Sequence, residues 1–171
     1  MYLRTSICVL VLLGWASPTS AGLNVPIAAR VVSFVQPAHT GAVPAAILFV
    51  PGNEASEAEA DAIERVTASG IAAGRGTLRA RRVPIGSMGA LTGYQVAFVT
   101  TGLRSEQDNI SAVAARSSIL TISSDPACVQ AGHCVVGIAT SPKVQITVSR
   151  AAARAANIRF GSAFLMLVKE I

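Results

Sequence analysis

Short, fully apolar runs alternate with stretches whose apolar positions recur every three or four residues, and this rhythm predicts buried strands separated by amphipathic helices. Val25 to Val35 has helical spacing around Arg30 and should end before Pro37. Ala45 to Val50 is a strand stopped by Pro51-Gly52-Asn53. Ser56-Glu57-Ala58-Glu59 fits a capping box, with Glu57, Glu59 and Asp61 in the first turns and Ile63 and Val66 on one face. Gly70, Gly74 and Gly76 close that helix and lead into a strand over Thr77 to Ile85. There Arg79 and Arg81 share one face, and Leu78, Ala80 and Arg82 the other.

Gly86 to Gly93 reads as a loop or half-turn, Tyr94 to Thr100 as a strand, Ser105 to Arg116 as a helix and Ser118 to Ser123 as another apolar strand. Cys134 to Thr140 and Lys143 to Ser149, parted by Ser141-Pro142, suit an antiparallel hairpin. An alanine-rich helix over Arg150 to Ala156, a left-handed stop at Asn157 and an apolar helix or helix-like tail over Ser162 to Lys169 complete the chain. The expected fold is therefore a single α/β domain, a mainly parallel sheet flanked by helices with a C-terminal antiparallel hairpin.

Ahead of this pattern, Met1 to Ala21 has the form of a cleaved secretory signal peptide. It has one positive charge at Arg4, an apolar stretch Ile7 to Trp15 too short to span a bilayer, and the small residues Thr19-Ser20-Ala21. Cleavage before Gly22 would leave 150 of the 171 residues, one ordinary domain, in the periplasm. Losing Arg4 lowers the formal charge from +5 to about +4, too mild to suggest nucleic acid. Trp15 and Tyr2 leave with the leader, so Tyr94 and five phenylalanines are the remaining rings, few for stacking on sugars or bases.

Cys8 falls inside the leader, which leaves Cys128 and Cys134 as an exported pair expected to form a disulfide. A closed loop of that size is worth about 2 kcal/mol in the chain-entropy picture. The competing arrangement, a metal held by Cys128, His133 and Cys134, lacks a fourth ligand at a recognisable spacing, since His39 is distant in sequence.

No catalytic constellation emerges. Gly70 to Gly76 follows a helix, whereas phosphate-binding glycine loops open one. Ile85-Gly86-Ser87-Met88-Gly89 has isoleucine where a nucleophile elbow needs glycine. Glu54, Glu57, Glu59, Asp61 and Glu64 crowd one helix and its entry, as a solvated face does. Two candidate contact regions remain. Arg75, Arg79, Arg81 and Arg82 form a basic cluster, either a solubilising strand edge or a contact for an anion or partner. Pro51, Gly52 and Asn53 sit between a strand and a helix, where open α/β sheets place ligands, and form a candidate pocket edge.

The last third runs from Ser118-Ile119-Leu120-Thr121-Ile122-Ser123 through Cys128 and Cys134 to Val144-Gln145-Ile146-Thr147-Val148-Ser149-Arg150-Ala151-Ala152-Ala153 and Asn157-Ile158-Arg159-Phe160-Gly161-Ser162-Ala163-Phe164-Leu165. It resembles the YfiR/HmsC-like family of bacterial periplasmic proteins. Upstream, Ala28 to Pro37 looks like that family's first helix and Ala46 to Gly52 like its first strand. The family usually has a tryptophan near Gln36 and often a second cysteine pair where this chain has Phe49, Val50, Gln95 and Val96, so the resemblance implies a single bridge here. It further implies a non-catalytic periplasmic regulator without a cofactor, which restrains a membrane-bound diguanylate cyclase by binding its periplasmic domain and so acts on cyclic-di-GMP and biofilm formation. A homodimer is left open. The rival expectation from the residues themselves is a small solute-binding protein using the junction after Val50.

Overall fold

The structure, a computed structural model, describes residues 22–171, so the leader expected over Met1 to Ala21 lies outside the described residues. Its centre is strand β2 (Thr40–Phe49), which runs parallel to β4 (Arg75–Pro84) on one side and to β5 (Val96–Val99) on the other. The sheet continues from β5 through the parallel strand β6 (Leu120–Ser123) to β7 (Val136–Ala139). It then turns antiparallel into β8 (Gln145–Val148), pairing Ile138 with Ile146. A last strand, β10 (Lys169–Glu170), lies parallel to β8, and the short strand β3 (Ile71–Ala73) lies antiparallel to β4 at the opposite edge. Separately, β1 (Val35–Gln36) pairs with β9 (Arg159–Phe160). The mainly parallel sheet and C-terminal hairpin expected from the hydrophobic rhythm are both present.

Strand residues alternate between two apolar layers, which is why the strands read as continuous apolar runs. Val43, Ala45, Ile47, Val96 and Phe98 join a layer with α1 (Val25–Val32) and α2 (Glu54–Thr67). Ala46, Leu48, Ala97 and Val99 face the other layer, with Ile110 and Ala114 of α3 (Gln107–Ser117) and Leu91 of the 3₁₀ segment Ile85–Leu91. Burial on both faces is the normal condition of a parallel sheet. Three further helices, α4 (Pro126–Gln130), α5 (Arg150–Ala155) and α6 (Ser162–Leu165), serve the C-terminal half.

Four local expectations are corrected. The first helix ends at Val32, because Ser33 turns back to cap it and Val35–Gln36 is taken up by pairing with β9. Helix α2 starts two residues ahead of Ser56: Asn53 is its cap, accepting from Ser56 N–H at 3.0 Å, so Ser56 and Glu59 are not a capping box. Its buried stripe is Ser56, Glu59, Ala60, Ile63 and Thr67, and Val66 is exposed. Finally, α6 is a single turn, and the chain beyond it finishes as the strand β10. The left-handed stop at Asn157 stands, with φ of 53°. Among the described residues no helix is long and apolar enough to cross a membrane.

Candidate functional site

The strand order places β4 and β5 on opposite sides of β2, so the chain leaves β2 and β5 at the carboxyl ends of the strands, the position where open α/β sheets place ligands. Pro51 and Gly52 form the exposed turn there, and Asn53 is spent on the α2 cap. Behind the turn the polar groups satisfy one another. Thr100 Oγ1 donates to Leu48 O at 2.8 Å, leaving Ser56 Oγ, 2.7 Å away, to donate to Thr100 while accepting Val50 N–H at 2.9 Å. Glu59, only 6% exposed, accepts Thr101 N–H at 2.7 Å on one oxygen. Its other oxygen accepts Leu23 N–H at 3.0 Å and the Ser124 hydroxyl at 2.8 Å. One carboxylate thus ties the chain ahead of α1 to the loops after β5 and β6. Mutual satisfaction of this kind makes a buried polar group affordable, and it leaves few free donors for a ligand.

The neighbouring loop is braced by charge. Asp125 caps α4 through Ala127 N–H at 2.9 Å and receives Arg104 Nε at 3.1 Å. Burial pulls the Asp125 carboxyl upward, but the hydrogen bond from Arg104, the Ala127 amide and the Arg104 charge outweigh it, so its pKa lies below the ordinary value.

A different surface lies where α1 meets β8 and α6. Phe34 and Phe164 stack with centroids 4.8 Å apart, and Phe160 tilts against Phe164 at 5.1 Å. With Val31 and Ile146, the rings of Phe34 and Phe164 line a groove of about 600 Å³. Pro26, Ile27 and Arg30 of α1 form one wall, and Val144, Leu167 and Val168 the other. The far wall is unusually apolar for a surface: Leu167 is 81% exposed and Val144 55%, and Met166, next to Leu167 in the chain but outside the groove lining, is 86% exposed. Such a contiguous apolar rim beside a groove is the usual physical mark of an interaction face.

Comparison with known proteins decides the family. A match to the YfiR/HmsC-like family runs over residues 24–169, nearly every described residue. The chain belongs to the YfiR/HmsC-like family. No curated protein matches the sequence. Among solved structures, the fold is similar to a conserved domain protein from Vibrio cholerae (9% identity, TM-score 0.68, covering 86% of this chain and 60% of that one). It is also similar to an ABC domain in complex with L-Trp from Streptococcus pneumonia (9% identity, TM-score 0.64, 85% and 59%). A third is a substrate-binding protein with adhesive properties from Clostridium difficile in its ligand-free, open form (12% identity, TM-score 0.59, 75% and 54%). The chain spans less than two thirds of the length of each, and at these identities the likeness is one of fold.

Within this YfiR/HmsC-like domain the four arginines do not act alike. Arg82 reaches the Asp61 carboxylate on α2, and its guanidinium carbon lies 4.4 Å from the Phe49 ring centre. Arg75, Arg79 and Arg81 are exposed along β4, which is uncovered beyond Leu78, where pairing with β3 stops. Cys128, at the heart of α4, and Cys134 are bridged, and both are buried in the layer facing α3. Bridged sulfurs are not thiolate ligands, and His133 turns instead to Asp108, with Nδ1 3.3 Å from its carboxylate.

Sequence reasoning missed two features. In the sequence Glu59 reads as part of a solvated acidic face, although the three-and-four spacing from Ser56 through Ile63 passes through it. The groove is hidden because Ser162 to Lys169 reads as an apolar helix or helix-like tail; only the unbroken apolar character of Leu165-Met166-Leu167-Val168, without a polar face, signals otherwise.

Proposed function

We propose that this protein is a non-catalytic periplasmic regulator that restrains a membrane-bound diguanylate cyclase by binding its periplasmic domain. The family match over residues 24–169 carries this reading. Physical support comes from the groove between α1 and α6. A rim carrying Met166 and Leu167 in water loses little by binding and gains by burying both side chains, each worth about 1.5–3 kcal/mol when fully covered. Arg30 on the opposite wall suits a partner segment that is apolar with a carboxylate beside it. Binding there lowers cyclase output, so cyclic-di-GMP and surface attachment fall when the regulator is engaged.

Deleting the gene in a strain that expresses the periplasm-facing cyclase should raise cyclic-di-GMP, measured by mass spectrometry, and supplying the gene in trans should lower it again. Unchanged nucleotide in that deletion strain overturns the reading. The rival, capture of a small solute at the strand ends, is favoured by the substrate-binding protein and the L-Trp complex among the fold relatives. It is disfavoured by the polar groups at those strand ends, where Ser56 and Thr100 bond to each other and Glu59 is occupied by Leu23, Thr101 and Ser124.

A further inference from the structure

Glu59 is a buried carboxylate whose hydrogen-bond donors are all neutral: two backbone amides and a hydroxyl. Among the described residues no cationic side chain pairs with it. Buried carboxylates ordinarily have a full positive charge nearby, since neutral donors offset only part of the lost hydration. The chain itself offers one. Leu23 N–H lies 3.0 Å from Oε1, and the exposed Gly22 sits beside the same side chain, where an added Cβ would come 3.8 Å from Glu59 Cγ. Covalent geometry keeps the nitrogen of residue 22 within about 3.7 Å of Leu23 N, and therefore within about 7 Å of the carboxylate.

We infer that Glu59 is the acceptor for the α-ammonium created when the leader is cleaved between Ala21 and Gly22, so that processing completes the ion pair and locks the front of the domain. The inference rests on the export reading of Met1 to Ala21. Before cleavage the nitrogen of Gly22 is a neutral amide; hydrolysis of the Ala21–Gly22 bond consumes one water, leaves a carboxylate on Ala21 and a protonated amine on Gly22. The same Glu59 already holds Thr101 after β5 and Ser124 after β6, so the new charge fastens three segments at once. It also fixes the entry to α1, which begins three residues later at Val25 and supplies the Pro26, Ile27 and Arg30 wall of the apolar groove. Processing thus sets the position of one wall of the proposed partner-binding face.

The test uses mature protein purified from the periplasm. Intact mass first identifies its N-terminus. The α-amine is then titrated by NMR of the Gly22 resonances, or by the pH dependence of its acylation. A folded ion pair raises its pKa by about one unit above the ordinary value near 8, a tenfold change in proton affinity, and Glu59→Gln returns it to that value. An α-amine with the same ordinary pKa in both proteins overturns the pairing. Should Glu59→Gln fail to fold, a chain retaining Ala21 serves instead. A raised amine pKa contributes stability that is complete below about pH 8 and lost as pH rises through the folded value. The Gly22 chain should therefore have the higher urea midpoint at pH 6.5, with the gap closing towards pH 10. Equal midpoints at both pH values overturn the inference. A mature mass starting elsewhere overturns the cleavage reading, and the same titration on a chain released at Gly22 from a fusion still decides the pairing by itself.

Discussion

Two regions of this domain invert the ordinary rule of polar outside and apolar inside. At the carboxyl ends of the parallel strands, Ser56, Glu59 and Thr100 are buried; beside α6, Met166 and Leu167 stand in water. The first inversion is largely compensated, because each buried group has hydrogen-bond partners and the cluster holds three segments together. The second is uncompensated in the monomer and costs solvation that a partner can recover. A satisfied polar cluster fixes structure, whereas an unsatisfied apolar rim is the better place to look for function.

The comparison can be broken first at the groove floor. Phe164 is 3% exposed and stacked on Phe34, so Phe164→Ala should cost about 4 kcal/mol in urea unfolding, the range for large-to-small changes at aromatic core sites. If the loss is far smaller, the floor is not part of the core and the distinction between floor and rim fails. On the other side, Glu59→Ala strands two amides and a hydroxyl and should cost about 3 kcal/mol. An unfolding midpoint unchanged by this substitution would show that the polar cluster holds nothing.

The Cys128–Cys134 disulfide is next. Joining residues six apart, it should contribute about 2 kcal/mol, read as the difference between wild type and Cys128→Ser with Cys134→Ser. Thiol titration of the denatured, unreduced protein should find none free. Smaller still is the Asp125 brace. Its pKa is depressed in the fold, so its contribution is present above the unfolded value near 4 and is lost as pH falls through the lower folded value. Asp125→Asn should therefore lower stability slightly at pH 7 and flatten that part of the acid unfolding profile, so that the two proteins converge at low pH.

How much of this was legible beforehand follows from what each residue type reveals. The strands announced themselves because burial on both faces demands unbroken apolar runs such as Ala46 to Phe49. Asn157 and the Ser141-Pro142 hairpin carried local signals as well. The helical spacing passes through Glu59, but its partners Leu23, Thr101 and Ser124 lie 36, 42 and 65 residues away, and only the fold joins them. The strand β3 was hidden for a similar reason: Ile71–Ala73 is too short to show a period, and its pairing with β4 is set by the turn at Gly74, whose φ is +65°. Met166 and Leu167 misled because a sequence shows hydrophobicity but not which hydrophobic residues the monomer leaves uncovered.

The central claim is that regulation runs through the apolar rim and not through the satisfied polar cluster. Its most direct measurement is the affinity of the purified mature protein for the isolated periplasmic domain of the cyclase, compared between wild type and Met166→Asp with Leu167→Asp. Both positions are more than four-fifths exposed, so the double variant should unfold within about 0.5 kcal/mol of wild type. Placing two charges against an apolar partner surface should nonetheless weaken binding at least a hundredfold, about 2.7 kcal/mol. Wild-type affinity in the folded double variant would contradict the account.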